Sequence, residues 1–228
     1  MSKEAVLGAI RRGLRRGALP EDQAMALRAR MAAHPRHLIP ARSQVARPEQ
    51  VALFLRNLEK EFATWNRVDR LDQAPEVIGD YLAAQNLPSA FVMAPHPALR
   101  EIPWDSRPML RSHEGRAMPD DLVSVQHGWV GVAETGTLML PSGPERPTTL
   151  NLLCDTEIVV LRASDVVGAY EEGWDRLRAV HGAGVMPRNV MLVTGPSRSA
   201  DIESTLELGA HGPRRLHVVL VDDDPAAR

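Results

Sequence analysis

Continuous runs of apolar, mostly β-branched residues recur in the second half of the chain, with helical patterns between them. Clear examples are "TEIVVLR", "NVMLV" and "LHVVLVD". Strands that are apolar on both faces are typical of parallel sheets, and the intervening helices supply the crossovers that such sheets need. The sequence therefore predicts an open, mostly parallel α/β sheet with helices on both faces.

Composition narrows the class of protein. The 228 residues are 44% apolar and 25% charged, and the formal net charge is −2, so no broad positive field favours nucleic acid or an anionic membrane. The longest apolar runs fall far short of the roughly 18 residues that a membrane helix needs, and no signal-peptide pattern opens the chain. We expect a cytoplasmic protein without a nucleic-acid partner or a membrane span.

The chain changes character near residue 70. Before that point apolar residues recur at helical spacing, most clearly in the set Val51, Phe54 and Leu58, with Pro48 suited to the first helical turn. We therefore predict an N-terminal helical segment over residues 1–70 and an α/β domain over 71–228. Within the second domain we expect a helix from Ser164, as N-cap, to a stop at Gly182.

The segment "TGPSRSADIE" follows the predicted strand at 190–193. Gly195 and Pro196 favour a tight turn, Ser197 and Ser199 offer hydroxyl groups, and Arg198 can pair with an anion. Ligands of open α/β sheets lie beyond the carboxyl ends of the strands, so this position predicts an anion site. The alternative, that these residues merely start a helix near Ser199, stays open.

Two acid–base candidates lie in the same stretch, and a third, His211, lies in "GAHGPRR". Asp201 lies in the first turn of the expected helix, and Glu203 lies further along it on a face that solvent can reach. In "GAHGPRR", Gly209 is a candidate C-cap for that helix, and His211 beside Gly212 is expected to be accessible.

A second polar interruption, "AETGT", lies inside an apolar stretch. Gly136 allows close approach of a ligand, Thr135 and Thr137 add hydroxyl groups, and Glu134 is a candidate acid or base. The alternative, a hairpin or bulge that links two strands and binds no ligand, is favoured by these residues taken alone.

Nothing in the sequence predicts a metal site. Cys154 is the single cysteine, so the chain forms no internal disulfide and supplies no four-thiolate cluster. The eight histidines form no "HxxxH" or "HxH" pair. We expect no cofactor to be bound by this chain.

Taken in order, "AETGTLML", "TGPSRSADIE" and "GAHGPRRLHVVLV" resemble the LUD-domain family, in particular its lactate utilisation protein C type. The resemblance covers about residues 50–225. It implies a fold related to ribose-phosphate isomerases, glucosamine-phosphate deaminases and CoA-transferases. It also implies a component of a bacterial system that oxidises L-lactate to pyruvate, beside an iron–sulfur oxidoreductase and a ferredoxin-like protein that carry the clusters.

On this basis we expect the three motifs to converge on one pocket for a small anion. The chain departs from the family pattern at Cys154, where a proline is common, at Glu157, where a histidine is common, and at Ser199, where a threonine is usual. A catalytic role of that histidine does not carry over. Two alternatives remain: a stand-alone enzyme acting on a phosphorylated or carboxylated metabolite, and a non-catalytic assembly subunit whose helices at residues 1–65 dock the partners.

Overall fold

The computed structural model describes residues 2–15, 17–182, 184–199 and 207–225. It divides into two compact units, Met1–Leu38 and Ile39–Arg228. The first unit contains α1, Lys3–Gly13, and α2, Glu21–Ala33, and neither helix has a buried residue. N-terminal helices are therefore present, as the apolar spacing predicts. No helix in the described ranges combines the length and the apolar character needed to cross a membrane.

The second unit holds the remaining helices. These are α3, Arg47–Lys60; α4, Ala74–Ala84; α5, Pro97–Arg100; and α6, Tyr170–His181. The apolar face of α3 is deeply buried, with Phe54 and Leu58 fully enclosed in the same core cluster as Leu161. Helix α3 therefore belongs to the second unit, although the sequence pattern predicts it as part of the N-terminal helical segment.

The strands follow in chain order. They are β1, Thr64–Val68; β2, Ala90–Met93; β3, Arg111–Glu114; β4, Val123–His127; β5, Val130–Val132; β6, Thr137–Pro141; β7, Thr156–Arg162; β8, Val166–Val167; β9, Val190–Val193; β10, Arg198–Ser199; β11, Glu207–Leu208; and β12, Arg215–Val221.

The main sheet has six strands in the order β1-β12-β7-β4-β2-β3, and every neighbouring pair is parallel. One face of this sheet packs against α4 through Ile78 and Leu82. The other face packs against α3 and a second sheet. The predicted fold class, an open and mostly parallel α/β sheet with helices on both faces, is confirmed.

The second sheet has the order β8-β5-β6-β9 and contains antiparallel pairs. Strand β9 pairs with β6 here, so the prediction that it follows the parallel pattern of the main sheet is wrong. Its residues are only partly buried, as expected for a strand at the edge of a sheet.

The predicted helix start at Ser164 is also wrong. Helix α6 begins at Tyr170 with Ala169 as N-cap, because residues 163–167 form a short turn and β8 first. The Ser164 hydroxyl instead donates a hydrogen bond to Asp223 at 2.7 Å. The predicted stop at Gly182 is confirmed by its position as C-cap with a φ of 88°.

Ser199 belongs to β10, which pairs with β11 in antiparallel register, and residues 200–206, over which the helix is predicted to run, lie outside the described residues. Gly209, with a φ of 82°, accordingly follows a strand rather than a helix, and its N–H donates to the Ser197 carbonyl at 3.0 Å. The acid–base candidates Asp201 and Glu203 lie outside the described residues.

Candidate functional site

The segments "TGPSRS" and "HGP" line one cavity of about 310 Å³. We call it the Glu157 cavity, after the buried acidic residue in its wall. Its lining includes, among the predicted ligand-binding and acid–base residues, Gly195, Pro196, Ser197, Arg198, Ser199, His211 and Gly212. The structure therefore brings together two of the three motifs that stand out in the sequence.

Backbone contacts hold these two segments in place. Gly195 has a φ of 74°, and a Cβ at this position would collide with the carbonyl oxygen of Glu61, so only glycine fits. The Ser197 N–H donates to the Pro213 carbonyl at 2.8 Å, and the His211 N–H donates to the Ser197 hydroxyl at 3.2 Å. Because the Ser197 amide is already bonded, an anion has to rely on other donors.

The Glu157 cavity lies at the amino ends of the central strands. Glu157 is the second residue of β7, and Pro213 lies just before the start of β12. The expectation of a site beyond the carboxyl ends of these strands is therefore wrong. The reason is that residues 194–199 follow β9, which belongs to the second sheet and not to the main parallel sheet. The carboxyl end of β9 therefore need not lie at the carboxyl ends of the main-sheet strands.

Glu157 is completely buried in β7, directly before the four apolar residues at 158–161. Its Oε1 atom accepts hydrogen bonds from the Gln126 side-chain amide and from Asn151 Nδ2, the latter at 2.9 Å. Its Oε2 atom is buried and has no hydrogen-bond partner among the described residues. The carboxyl group thus has one oxygen fixed by the protein and one oxygen without a donor.

Burial raises the pKa of Glu157 to about 7, and the hydrogen bonds from Asn151 and Gln126 offset only part of this effect. A carboxyl group that titrates near neutral pH can act as a proton donor or as a proton acceptor. In the sequence, Glu157 stands out only as a departure from the family pattern. The signal that could have identified it was a single acidic residue inside the apolar run "TEIVVLR".

Arg198 also borders the Glu157 cavity, but its guanidinium group has partners already. It lies 3.8 Å from the centre of the Phe62 ring and 3.7 Å from the Glu61 carboxylate. Both members of this ion pair are partly exposed, so the pair is weak. A ligand carboxylate in the cavity would compete with Glu61 for the same guanidinium.

The "AETGT" segment forms the turn between β5 and β6, so its hairpin alternative is confirmed. Gly136 has a φ of 70°, and α3 closes the space beside its Cα, where a Cβ would come within 2.7 Å of the backbone at Asn57. Thr137 is fully buried and shares short hydroxyl contacts with Thr194 at 2.6 Å and Tyr170 at 2.7 Å. These hydroxyls satisfy one another inside the protein.

Glu134 and Thr135 line a different cavity of about 580 Å³, together with Arg42 and Lys60. Glu134 forms an ion pair with Arg42 at 3.5 Å. Thr194 borders both this cavity and the Glu157 cavity. The third motif therefore adjoins the other two through Thr194 and lines a cavity of its own.

The part of the chain that the structure describes contains no group of three or more His, Cys, Asp or Glu side chains placed to hold a metal ion. Cys154 is buried, and burial raises the pKa of its thiol to about 11. The thiol is therefore protonated at neutral pH, which disfavours both metal ligation and nucleophilic attack.

Comparison with known proteins gives one family match, the LUD domain, over residues 125–221. An uncharacterized protein from Neisseria meningitidis is 40% identical over 94 residues, which cover 41% of this chain and 40% of that protein. Lactate utilization protein C from Shouchella clausii is 32% identical over 53% of this chain and 52% of that protein. The protein of the same name from Bacillus subtilis is 34% identical over 44% and 42%.

The matched segment thus spans about half or less of the length of these curated relatives. Among solved structures, a DUF162 family protein from Deinococcus radiodurans superposes with a TM-score of 0.57 at 24% identity. That comparison covers 78% of this chain and 99% of the other, and it shows a common fold.

Replacing Glu157 with glutamine tests the buried carboxyl group. The pKa of Glu157 is higher in the folded chain than in the unfolded chain, so its contribution to stability is full below about pH 4.5 and is lost as pH rises through about 7. Glu157→Gln removes this dependence. Between pH 5 and pH 8 the stability of the variant relative to the native chain should rise by up to about 3 kcal/mol.

Urea denaturation of both proteins at the two pH values measures this difference. Titration of the other groups is common to the two proteins and cancels in the comparison. Parallel pH profiles for the two proteins would show that Glu157 is ionised normally.

Proposed function

We propose that the protein takes part in lactate utilisation, because residues 125–221 of this chain match the LUD domain. The observation that supports this most strongly is the match to proteins named lactate utilization protein C in two bacteria, at 32% and 34% identity. In this proposal the chain is a cytoplasmic component of a system that oxidises L-lactate to pyruvate. An iron–sulfur oxidoreductase and a ferredoxin-like protein hold the clusters.

The chemistry divides between the chain and those partners. Oxidation of the C2 hydroxyl of L-lactate to the ketone of pyruvate releases two electrons and two protons. The O–H and C2–H bonds of lactate both break: the Glu157 carboxylate takes the hydroxyl proton, and the C2 hydrogen leaves as a proton to solvent. The clusters of the iron–sulfur partners would supply the acceptor for the two electrons. The buried Oε2 atom of Glu157 and its pKa of about 7 support this role, since the group can be reprotonated and deprotonated at neutral pH.

The substrate carboxylate is assigned to Arg198 and the hydroxyl groups of Ser197 and Ser199. All three residues line the Glu157 cavity. Guanidinium groups bind carboxylates through paired, charge-assisted hydrogen bonds, which are stronger than the existing 3.7 Å contact with Glu61. His211, on the opposite segment, is exposed and can supply a further polar contact.

The first unit of the chain is proposed to dock the iron–sulfur partners. Its helices have no buried residues, and they leave Val6, Ile10 and Leu14 between 40% and 58% exposed. Exposed apolar side chains at helical spacing suit contact with another protein. The sequence analysis considers residues 1–65 for docking. We restrict the proposed docking segment to residues 2–38, because α3 packs in the core of the second unit.

Arg198→Ala tests the assigned substrate site. We expect the dissociation constants of L-lactate and pyruvate to increase by roughly tenfold or more, because a charge-assisted hydrogen bond is lost. Calorimetric titration of the purified chain measures the change. Arg56→Ala is the matched control, since Arg56 is an exposed arginine on α3 that lines none of these cavities, and unchanged affinity in Arg198→Ala would contradict the assignment.

Deletion of residues 2–38 tests the docking role. The shortened chain should keep a cooperative unfolding transition but should no longer co-purify with the two iron–sulfur partners when all three are co-expressed. A full-length chain with Ile10→Asp and Leu14→Asp should behave in the same way, because it places charge on the same helix face. Retention of both partners by either variant would contradict docking through this unit.

A further inference from the structure

A third cavity, of about 720 Å³, lies in a part of the fold that the proposed function does not use. Three arginines line it, Arg116, Arg146 and Arg188, and we call it the arginine cavity. Its remaining polar lining is Ser142, Thr148, Thr149 and Asn189. Guanidinium, hydroxyl and amide groups in one concave wall form a set of hydrogen-bond donors with net positive charge.

The arginine cavity and the Glu157 cavity lie at opposite ends of the parallel strands. Arg146 contacts His127, the last residue of β4, and His96, which follows β2. The arginine cavity is thus at the carboxyl ends of the main sheet, where open α/β folds bind ligands.

The three segments that carry the arginines are tied together by hydrogen bonds. Arg146 closes a tight turn with Gly143 through a pair of backbone bonds of 3.0 and 3.2 Å. Next to Arg188, the Asn189 N–H donates to the Ser142 hydroxyl at 3.0 Å, and the Ser142 N–H donates to the Asn189 carbonyl at 3.0 Å. The cavity wall is therefore preorganised on these two sides.

The third segment is fixed in a similar way. Next to Arg116, the Ala117 N–H donates to the Thr149 hydroxyl at 3.1 Å. Thr149 belongs to the same loop as Arg146, so all three arginine-bearing segments are anchored to residues 142–149. Fixed donors lose less conformational entropy on binding a ligand than free side chains do.

Arg146 is held from behind by two histidines. Its Nη2 atom donates to His96 Nε2 at 3.0 Å and to His127 Nδ1 at 3.3 Å, and the two imidazole rings stack at 4.0 Å with an interplanar angle of 7°. Burial, together with neighbouring positive charge, lowers the pKa of His96 and lowers that of His127 to about 3.

No ion pair in the described part of the chain neutralises the three arginines of this cavity. Within that part, no carboxylate lies within 4.0 Å of the guanidinium nitrogens of Arg116, Arg146 or Arg188. Glu145, half exposed, faces His96 at 3.8 Å instead. Among the described residues, Arg146 Nε is buried without a hydrogen-bond partner, which costs free energy.

We infer that the arginine cavity binds the phosphate group of a small phosphorylated metabolite. A phosphate monoester carries a charge of about −1.5 to −2 at neutral pH and has three acceptor oxygens, which match several guanidinium donors. A monocarboxylate such as lactate has too little charge and too few acceptors for three arginines. The cavity volume of about 720 Å³ leaves room for the organic part of the ligand.

Calorimetric titration of the full chain with inorganic pyrophosphate tests this inference, because pyrophosphate supplies the phosphate chemistry without an organic part. We expect saturable binding of one equivalent. The double variant Arg116→Gln with Arg188→Gln should weaken binding by roughly tenfold or more, and both positions are exposed, so the fold should tolerate the change. Arg146→Gln should weaken binding at least as much where the variant folds.

Two controls make the result specific. Arg56→Gln, an exposed change outside the cavity, should leave pyrophosphate binding within about twofold of the native value, as the loss of one distant surface charge has little effect. Succinate, a dicarboxylate, should bind more weakly than pyrophosphate. Absence of saturable binding, equal loss in Arg56→Gln, or succinate binding as tight as that of pyrophosphate would each overturn the inference.

The test is independent of the proposed function. Arg198→Ala changes the Glu157 cavity and should leave pyrophosphate binding unchanged, whereas the Arg116 and Arg188 variants should leave lactate binding unchanged. Either proposal can therefore fail without the other.

Discussion

All neighbouring strands of the six-stranded sheet run parallel, and the arrangement of the second unit follows from that constraint. The central strands β7 and β12 are buried on both faces, so α4 covers one face, and α3 with the four-stranded sheet covers the other. Residues 194–199 leave β9 of the second sheet beside the loops that enter these strands. The Glu157 cavity lies at that junction.

Two buried or largely buried ionisable groups without an ion-pair partner among the described residues lie at opposite ends of this sheet. Glu157 is a buried acid with no cation against it among the described residues, so its pKa rises towards neutrality. Arg146 is a largely buried base held by two imidazoles, and burial lowers its pKa. Such groups are costly to stability, and they are typical of sites that bind ligands or move protons.

Much of the fold was predictable from local pattern, because continuous apolar runs specify buried strands. The membership of β9 in the second sheet was not, since a run such as "NVMLV" does not reveal its pairing partner. Glu157 was visible as an acid in an apolar run, but its partners Gln126 and Asn151 come from other segments. The arginine cavity depends on three separate loops, which no spacing rule connects.

The carboxyl pKa of Glu157 tests most directly whether this residue is a proton-exchanging group in a ligand cavity. Carbon-13 NMR of the full chain, with the Glu157 signal assigned by its loss in Glu157→Gln, would follow the titration of this one carboxyl group. We predict a midpoint near pH 7, because burial outweighs the two amide hydrogen bonds. A midpoint near the ordinary glutamate value of 4.5 would contradict this role.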